Sequence, residues 1–464
     1  MKTITGLNWG VLEIFFLIIT AFIGFAVTYL LMPFIIKYMK KTGNIGVDIH
    51  KNSKPEVAES GGVGILAGAL VTLLLLMLFF PIFLKDLIII ILTVLLAGLI
   101  GFIDDRIRLR SRYKISLTLF IGLLVFIANY VGFITFDDPT LPILGKMRLS
   151  ILFPVLIPLI ITVFANTVNM LEGYNGEGSG TVLIALGFLA VSSIILNSAE
   201  GLLYSVVFFS IIFAFFFFNK YPAKTFPGDI GTLTMGVMVA VIALFGNLLF
   251  IAFCTLLLHV FNSFLYISSV RGFFESKEIH RLRDDIMLLQ DDRIKASEQK
   301  GALMTIPRLI LSKGPLKEDE LVKRFFILTF FCGFLAIFSA ILISYTTGVI
   351  DIMLVFFLGA IMTVPLALIL FYFKKVSGAG LIILLIYILL VIILLIIDYI
   401  VIPYFPGVFN FIFIKIPVNM LISVLLVIPV LIIWYFLTNY YFWSQIRKKG
   451  KKRAQNQAAL EKKG

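Results

Sequence analysis

This 464-residue chain is predicted to be an all-α polytopic membrane protein with about thirteen transmembrane helices. Three observations predict it. Hydrophobic residues make up 60% of the chain and charged residues 14%, with a mean hydropathy of +1.07, far outside soluble globular usage. Many apolar runs approach or exceed the ~20 residues needed to cross a bilayer as a helix. None alternates in the ~10-residue pattern of a membrane β-barrel, so the backbone of each run must be satisfied helically.

The spans are expected near 11–36, 62–80, 86–103, 115–134, 150–168, 180–197 and 201–218. Six more follow near 232–246, 248–269, 323–346, 349–373, 380–401 and 418–443. The first run is too long and too poorly flanked for a cleaved signal peptide, so it is read as a span. Gly61 and Gly62 shorten the second. The only cysteines, Cys254 and Cys332, fall inside spans, which argues against disulfides and thiolate metal sites. His259 is also mid-span and reads as a hydrogen-bonded helix contact.

Charge sets the orientation. Of the 39 Lys and Arg, 34 collect in alternate connections and the carboxyl-terminal tail. The positive-inside rule then puts the amino terminus outside and the carboxyl terminus in the cytoplasm. Three regions follow: a ten-span core over 1–346, additional transmembrane helices over 347–445, and a basic tail over 446–464. The net charge of +13 suits topology and attraction to anionic lipid. No soluble domain presents a basic face with stacking aromatics, so a nucleic-acid partner is not expected.

Five polar islands interrupt this apolar chain, all on the expected cytoplasmic side. They are DIHKNSKPEVAESGG, GFIDDRIRLRSRYK, NTVNMLEGYNG, FPGDIGT and IHRLR. Asp104 and Asp105 end a span, where adjacent carboxylates are best relieved by a divalent cation or a shared proton. The bland alternative is a helical pair of Asp104 with Arg108, which contributes only a few tenths of a kcal/mol. Lys114 could neutralise a phosphate. Asp229 lies between glycines just before an apolar helix and suits Mg²⁺, a hard ion that combines few carboxylates with phosphate oxygens. It could equally cap that helix. Asn166 and Asn169 share one face of the fifth span, and an amide oxygen can complete a magnesium shell or bond a neighbouring helix. Asn175 with Gly176 also reads as a plain turn. Asp48, Lys51 and Glu59 lie in the first island, and His280, Arg281 and Arg283 in the last.

With these islands in this order, the chain resembles the polyprenyl-phosphate N-acetylhexosamine-1-phosphate transferases over about residues 37–330. Within them it is most similar to the eukaryotic and archaeal UDP-GlcNAc–dolichyl-phosphate GlcNAc-1-phosphate transferases. KYPAKTFPGD and the spacing from Asp104-Asp105 to Lys114 favour that branch over the bacterial peptidoglycan branch. The resemblance implies transfer of GlcNAc-1-phosphate from a UDP-N-acetylhexosamine to a polyprenyl or dolichyl phosphate, the first membrane step of N-glycosylation. It implies Mg²⁺, with Mn²⁺ as an alternative, held by Asp229 and Asn169. Asp104, Asp105 and Lys114 would be catalytic, with Lys114 on the diphosphate. Asn175, Phe226 and Gly228 would lie by the nucleotide. Glu59, His280, Arg281 and Arg283 would lie by the sugar phosphate. Asp48, Lys51 and Asn166 would be further polar loop residues. Glu172 departs from the dolichol branch, which has a small residue there. The implied setting is a lipid bilayer, with a homodimer as one assembly: the cell membrane in a prokaryote or archaeon, the endoplasmic reticulum in a eukaryote. The three spans after residue 348 fall outside the resemblance.

A transporter or flippase of a lipid-linked sugar is the competing class. Transporters place ionisable groups near mid-membrane, whereas these span centres are nearly free of charge. A CDP-alcohol phosphotransferase would space several aspartates along one helix with glycines, which Asp104-Asp105 does not match.

Overall fold

The first ten expected spans are each found as helix. The structure, a computed structural model, describes residues 9–142, 145–146, 152–270, 284–299, 302–347, 408–411, 414–417 and 444. The expected spans at 349–373, 380–401 and 418–443, the basic tail, and His280, Arg281 and Arg283 lie outside the described residues. The helices of the first half are α1 (Val11–Lys41), α2 (Gly62–Phe79), α3 (Leu84–Ile107), α4 (Ser111–Tyr130) and α5 (Leu152–Leu171). Next come α6 (Glu177–Ile195), α7 (Ala199–Asn219), α8 (Gly228–Phe245), α9 (Leu249–Thr255) and α10 (Leu257–Val270). The short α11 (Ile306–Leu311) precedes α12 (Glu318–Thr346). Among the described residues, nine helices are long and apolar enough to cross a membrane. The expected ninth span is broken: α9 and α10 meet at a bend of 69° around Leu256.

Helix α8 is the axis of the bundle. Every residue from Ile230 to Leu244 is buried, as expected of a helix apolar on all sides. It packs against α2, α3, α5 and α7. The outer helix α1 instead leaves Leu12, Phe15, Phe22 and Phe34 exposed, which is the surface a bilayer would cover.

Several helices overrun the expected span ends because polar residues can continue the helical hydrogen-bond ladder once past the apolar run. Asp104 and Asp105 therefore sit in the last turn of α3. Glu318, Asp319 and Glu320 open α12, where the positive end of the helix dipole favours acids. The Glu320 carboxylate also accepts from the Lys317 N–H at 3.0 Å, closing the first turn.

Short β elements fill connections at both ends of the bundle. Strands β1 (Ile45–Val47) and β2 (Glu56–Ala58) form an antiparallel hairpin with Ile45 opposite Ala58. Two-residue strands β3 (Thr140–Leu141) and β4 (Gly145–Lys146) pair in the α4–α5 connection. The α10–α12 connection, expected only as a charged loop, folds into a three-stranded sheet of β5 (Ile286–Leu288), β6 (Arg293–Ala296) and β7 (Leu316–Lys317). Ile294 and Leu311 pack there with Tyr174, Leu265 and Phe325 in a second apolar core. Beyond the bundle, Val408–Phe411 and Ile414–Pro417 form a further hairpin.

Arg308 on α11 organises this subdomain from within. It is 1% exposed, and its guanidinium donates to the carbonyls of Ser297, Gln299, Ala302 and Leu303 at 2.8–3.0 Å. Lysine cannot reproduce that planar fork and would leave buried carbonyls without donors. Arg308→Lys is expected to cost roughly 2–4 kcal/mol in unfolding free energy. An unchanged melting temperature in detergent would show that the carbonyls find other donors.

Candidate active site

The α3–α8 contact brings three motif carboxylates together. A Cβ on Gly101 would stand 2.4 Å from the Asp229 carbonyl oxygen and the Ile230 Cα, so the two backbones touch there. Successive helical residues point about 100° apart, and the aspartate pair consequently divides its work. Asp104 is buried, accepts from the Leu109 N–H at 2.7 Å, and forms an ion pair with Lys114 in the first turn of α4. Asp105 turns toward the start of α8. Its Oδ1 accepts from the Asp229 N–H at 2.6 Å and its Oδ2 from the Ser60 hydroxyl at 2.7 Å.

Gly228 makes that approach feasible. It adopts a φ of +65°, and a Cβ there would lie 2.4 Å from Asp105 Oδ2, so a side chain is excluded on both counts. Asp229 follows in the first turn of α8, and its Oδ2 lies 3.1 Å from Lys114 Nζ. Asn169, near the end of α5, donates its amide to Asp229 Oδ1 and to the Thr232 hydroxyl, the latter at 2.7 Å. Lys114 also lies 3.5 Å from Asn169 Oδ1. Four elements thus deliver Asp104, Asp105, Lys114, Asn169 and Asp229 to one linked cluster.

A second polar group faces the first across a cavity of about 350 Å³. The β1–β2 loop supplies Asp48, His50 and Lys51, and its Asn52 amide anchors it to Leu289, Gln290 and Asp292 of the β5–β6 turn. Asp48 and Lys51 form an ion pair, and Lys51 lies 3.6 Å from Glu318 Oε2. Burial alone would raise the Asp48 carboxyl, but the hydrogen bonds from Lys51 and Asn175 outweigh it and hold the group below its ordinary value. Burial pushes His50 down to about 4, so its ring is neutral at physiological pH, stacked 4.4 Å from the Tyr174 ring. Asn175 joins the pieces by donating to both Asp48 and Glu318. Glu172 lines the same cavity. Its Oε2 is buried without a hydrogen-bond partner, and burial pushes the carboxyl up to about 8.

Of the residues singled out from the sequence, Asp48, Glu59, Asp105, Asn169, Asn175, Phe226, Gly228 and Asp229 line the cavity. Phe226 is held there by main-chain bonds with Ala58 and Gly61, each at 2.8 Å. Asp104 and Lys114 stand directly behind the lining residues, and Lys51 braces Asp48 and Glu318. Asn166 lies inside α5, on the fifth span as expected and not in the loop where the resemblance groups it, and of its two readings it takes the helix contact: it donates to the Thr118 hydroxyl at 2.9 Å and the Thr162 carbonyl at 2.8 Å, which ties α4 to α5. His259 is the helix contact expected of it, with Nε2 3.0 Å from the Thr181 hydroxyl. Sequence reasoning missed His50, Ser60, Tyr174, Thr232 and Glu318 as parts of the site. His50 and Ser60 lay within a recognised island, but nothing local marked Glu318, which reaches Asn175 from 143 residues away.

Two groups could be considered for a cation. Asp48, His50 and Glu318 offer ligand atoms within 4.8 Å of one another, but the Lys51 ammonium already serves both carboxylates. The Asp104–Asp105–Asp229 cluster sets three carboxylates against one ammonium, Lys114, and adds the Asn169 amide. Hard oxygen donors with excess negative charge fit Mg²⁺ at the second group.

The chain is similar in sequence to several known proteins. The family described as glycosyl transferase family 4 matches residues 87–247, which span α3 to the start of the α8–α9 turn. A provisionally named UDP-N-acetylglucosamine–dolichyl-phosphate N-acetylglucosaminephosphotransferase of Sulfolobus acidocaldarius is 34% identical over 238 residues. That match covers 50% of this chain and 71% of the relative. A provisionally named glycosyltransferase of Methanocaldococcus jannaschii is 30% identical over 325 residues, 68% of this chain and 97% of the relative. The phospho-N-acetylmuramoyl-pentapeptide-transferase of Enterococcus faecalis is 32% identical over 239 residues, 48% of this chain and 73% of the relative.

Proposed function

The chain belongs to glycosyl transferase family 4, the polyprenyl-phosphate N-acetylhexosamine-1-phosphate transferases its motifs resemble, and from that premise we propose its reaction. It transfers GlcNAc-1-phosphate from UDP-GlcNAc to a dolichyl-type polyprenyl phosphate and releases UMP. This would be the first membrane step of lipid-linked oligosaccharide synthesis for N-glycosylation. The observation that carries the reading is the convergence of Asp105, Asn169 and Asp229 on one cavity, with Lys114 and Asp104 behind them. The name of the Sulfolobus relative above supports the dolichyl branch. The positive-inside distribution supports a cytoplasm-facing site in a cell membrane.

In this reaction a phosphate oxygen of the acceptor bonds to the β-phosphorus of the sugar nucleotide, and the bond from that phosphorus to the bridging oxygen of UMP breaks. The acceptor is already anionic, because a phosphate monoester's second pKa is about 6. Charge neutralisation and alignment therefore matter more than proton removal. Mg²⁺, held by Asp229 and Asn169 with Asp105 close by, would supply charge stabilisation on the diphosphate when bound. Lys114 neutralises phosphate charge from the protein side, and Asp104 fixes the position of its ammonium. Glu59, Phe226 and Gly228 line the same cavity, and by the resemblance Glu59 would meet the sugar phosphate and Phe226 and Gly228 the nucleotide.

The test is purified protein with dolichyl phosphate and a panel of UDP-sugars, with and without EDTA. UMP should appear with UDP-GlcNAc, stop on chelation, and return with added Mg²⁺. UMP release that is indifferent to EDTA would remove the metal from the mechanism.

A further inference from the structure

The β1–β2 loop is held on two sides, and the cavity accounts for only one of them. On the inner side Asp48, Ile49 and His50 line the cavity, and the Lys51 ammonium serves Asp48 and Glu318. On the outer side Asn52 is exposed and does not line the cavity, yet it reaches the β5–β6 turn, 240 residues further along the chain. Its main-chain N–H donates to Asp292 Oδ1 at 2.8 Å. Its side-chain amide donates to the same oxygen at 2.6 Å and to the Leu289 and Gln290 carbonyls at 2.9 and 3.2 Å. The loop closes on itself through the Asp48 N–H to the Pro55 carbonyl and the Lys54 N–H to the Lys51 carbonyl, each at 3.0 Å. Those bonds shape the loop, whereas the bonds of Asn52 attach it to another part of the fold.

The turn is shaped to receive an amide. Asp292 has a left-handed φ of +57°, its N–H bonds the Leu289 carbonyl at 3.2 Å, and the Leu289 N–H bonds the Arg293 carbonyl at 2.8 Å. Asp291 is taken by Arg293, which leaves Asp292 as the carboxylate that meets Asn52. Two carbonyls and one carboxylate oxygen thus converge on a side chain that offers two N–H donors. Strand β6 carries this turn into the second apolar core through Ile294 and pairs with β7, which leads directly into Glu318. We propose that Asn52 is a positioning residue for the reaction. By latching the loop to the β5–β6 turn, it holds the Asp48–His50 wall in place and so retains the sugar nucleotide in the cavity. Asp105, Lys114, Asn169 and Asp229 stand on α3, α4, α5 and α8, so opening the latch shortens the stay of the substrate and leaves the chemistry intact. The inference rests on the reading of the cavity as the site of a UDP-sugar.

The experiment uses the full chain with Asn52→Asp, with Asp292→Asn, and with both. Asn52→Asp sets a carboxylate against three acceptors and should open the latch. Asp292→Asn keeps an oxygen for the Asn52 donors and should behave like the natural chain. In the double variant the new amide can donate to the new carboxylate, which restores part of the latch. Asn52→Asp should raise the KM for UDP-GlcNAc and the dissociation rate of UDP about threefold to tenfold, the worth of one net hydrogen bond, with kcat within about twofold. The double variant should recover at least half of that rise on a logarithmic scale, because the two sites are coupled. Hydrogen exchange of the 48–54 amides, measured without substrate, should speed up in Asn52→Asp and slow again in the double variant, at a little-changed melting temperature. Equal exchange in the natural chain and Asn52→Asp overturns the latch. Faster exchange with unchanged KM and UDP dissociation overturns its role in retention, as does a loss confined to kcat. No recovery in the double variant overturns the pairing with Asp292. If the natural chain releases no UMP, the reaction reading fails by itself, and the exchange comparison still decides the latch.

Discussion

Asp229→Ala should lower UMP release by at least about a thousandfold, the scale expected when a metal-holding and charge-organising group is deleted. Asp229 joins three parts of the site, since it faces Lys114, takes the Asn169 amide, and is fixed through its own N–H by Asp105. Alanine removes the first two links and leaves Asn169 with only Thr232 as a partner for that amide. Excess Mg²⁺ should rescue little, because the ligand itself is gone. Nucleotide binding and melting temperature, measured alongside turnover, would separate this from misfolding. Turnover within about tenfold of the natural chain in a well-folded variant would remove Asp229 from the chemistry.

Lys114→Met is expected to damage both stability and turnover, by different routes. Asp104 is 2% exposed and depends on the Lys114 ammonium as its counter-charge. Breaking a buried ion pair from one side costs about 3–5 kcal/mol. Loss of the same ammonium beside the diphosphate should reduce turnover by about 10²–10⁴. The double variant Lys114→Met with Asp104→Asn distinguishes the two, because it also removes the stranded carboxylate. It should recover most of the melting temperature and little of the turnover. Recovery of both would make Lys114 a structural counter-ion only.

The parts of this site that could be read from the sequence share a physical basis: they are polar residues in a chain whose surroundings are apolar. Asp104-Asp105, Asn169, Asp229 and the 48–62 segment stand out for that reason, and their chemistry restricts them to few roles. What joins them was not legible. The contact of Gly101 with the Asp229 backbone depends on which helices neighbour each other, and apolar spans of similar length carry little information about pairing. The burial of α8 on all sides is hidden for the same reason. A lipid-facing helix and a central one are both apolar all round. Asn166 offered two uses, a magnesium ligand or a bond to a neighbouring helix, and only the packing of α4 on α5 selects the bond to Thr118. Glu318 is one of three successive acids opening α12, and only the fold carries it to Asn175. The β5–β7 sheet was missed because its strands are two to four residues long, too short for alternation to register.

The central claim is that phosphorus moves with the sugar. UDP-GlcNAc labelled with ³²P at the β position and with ¹⁴C in the sugar, incubated with the full chain, Mg²⁺ and dolichyl phosphate, tests it directly. Both labels should pass together into the lipid phase at equal molar amounts, leaving unlabelled UMP in water. Carbon label in the lipid with the phosphorus label retained in aqueous UDP would contradict the claim, because the chain would then transfer sugar alone.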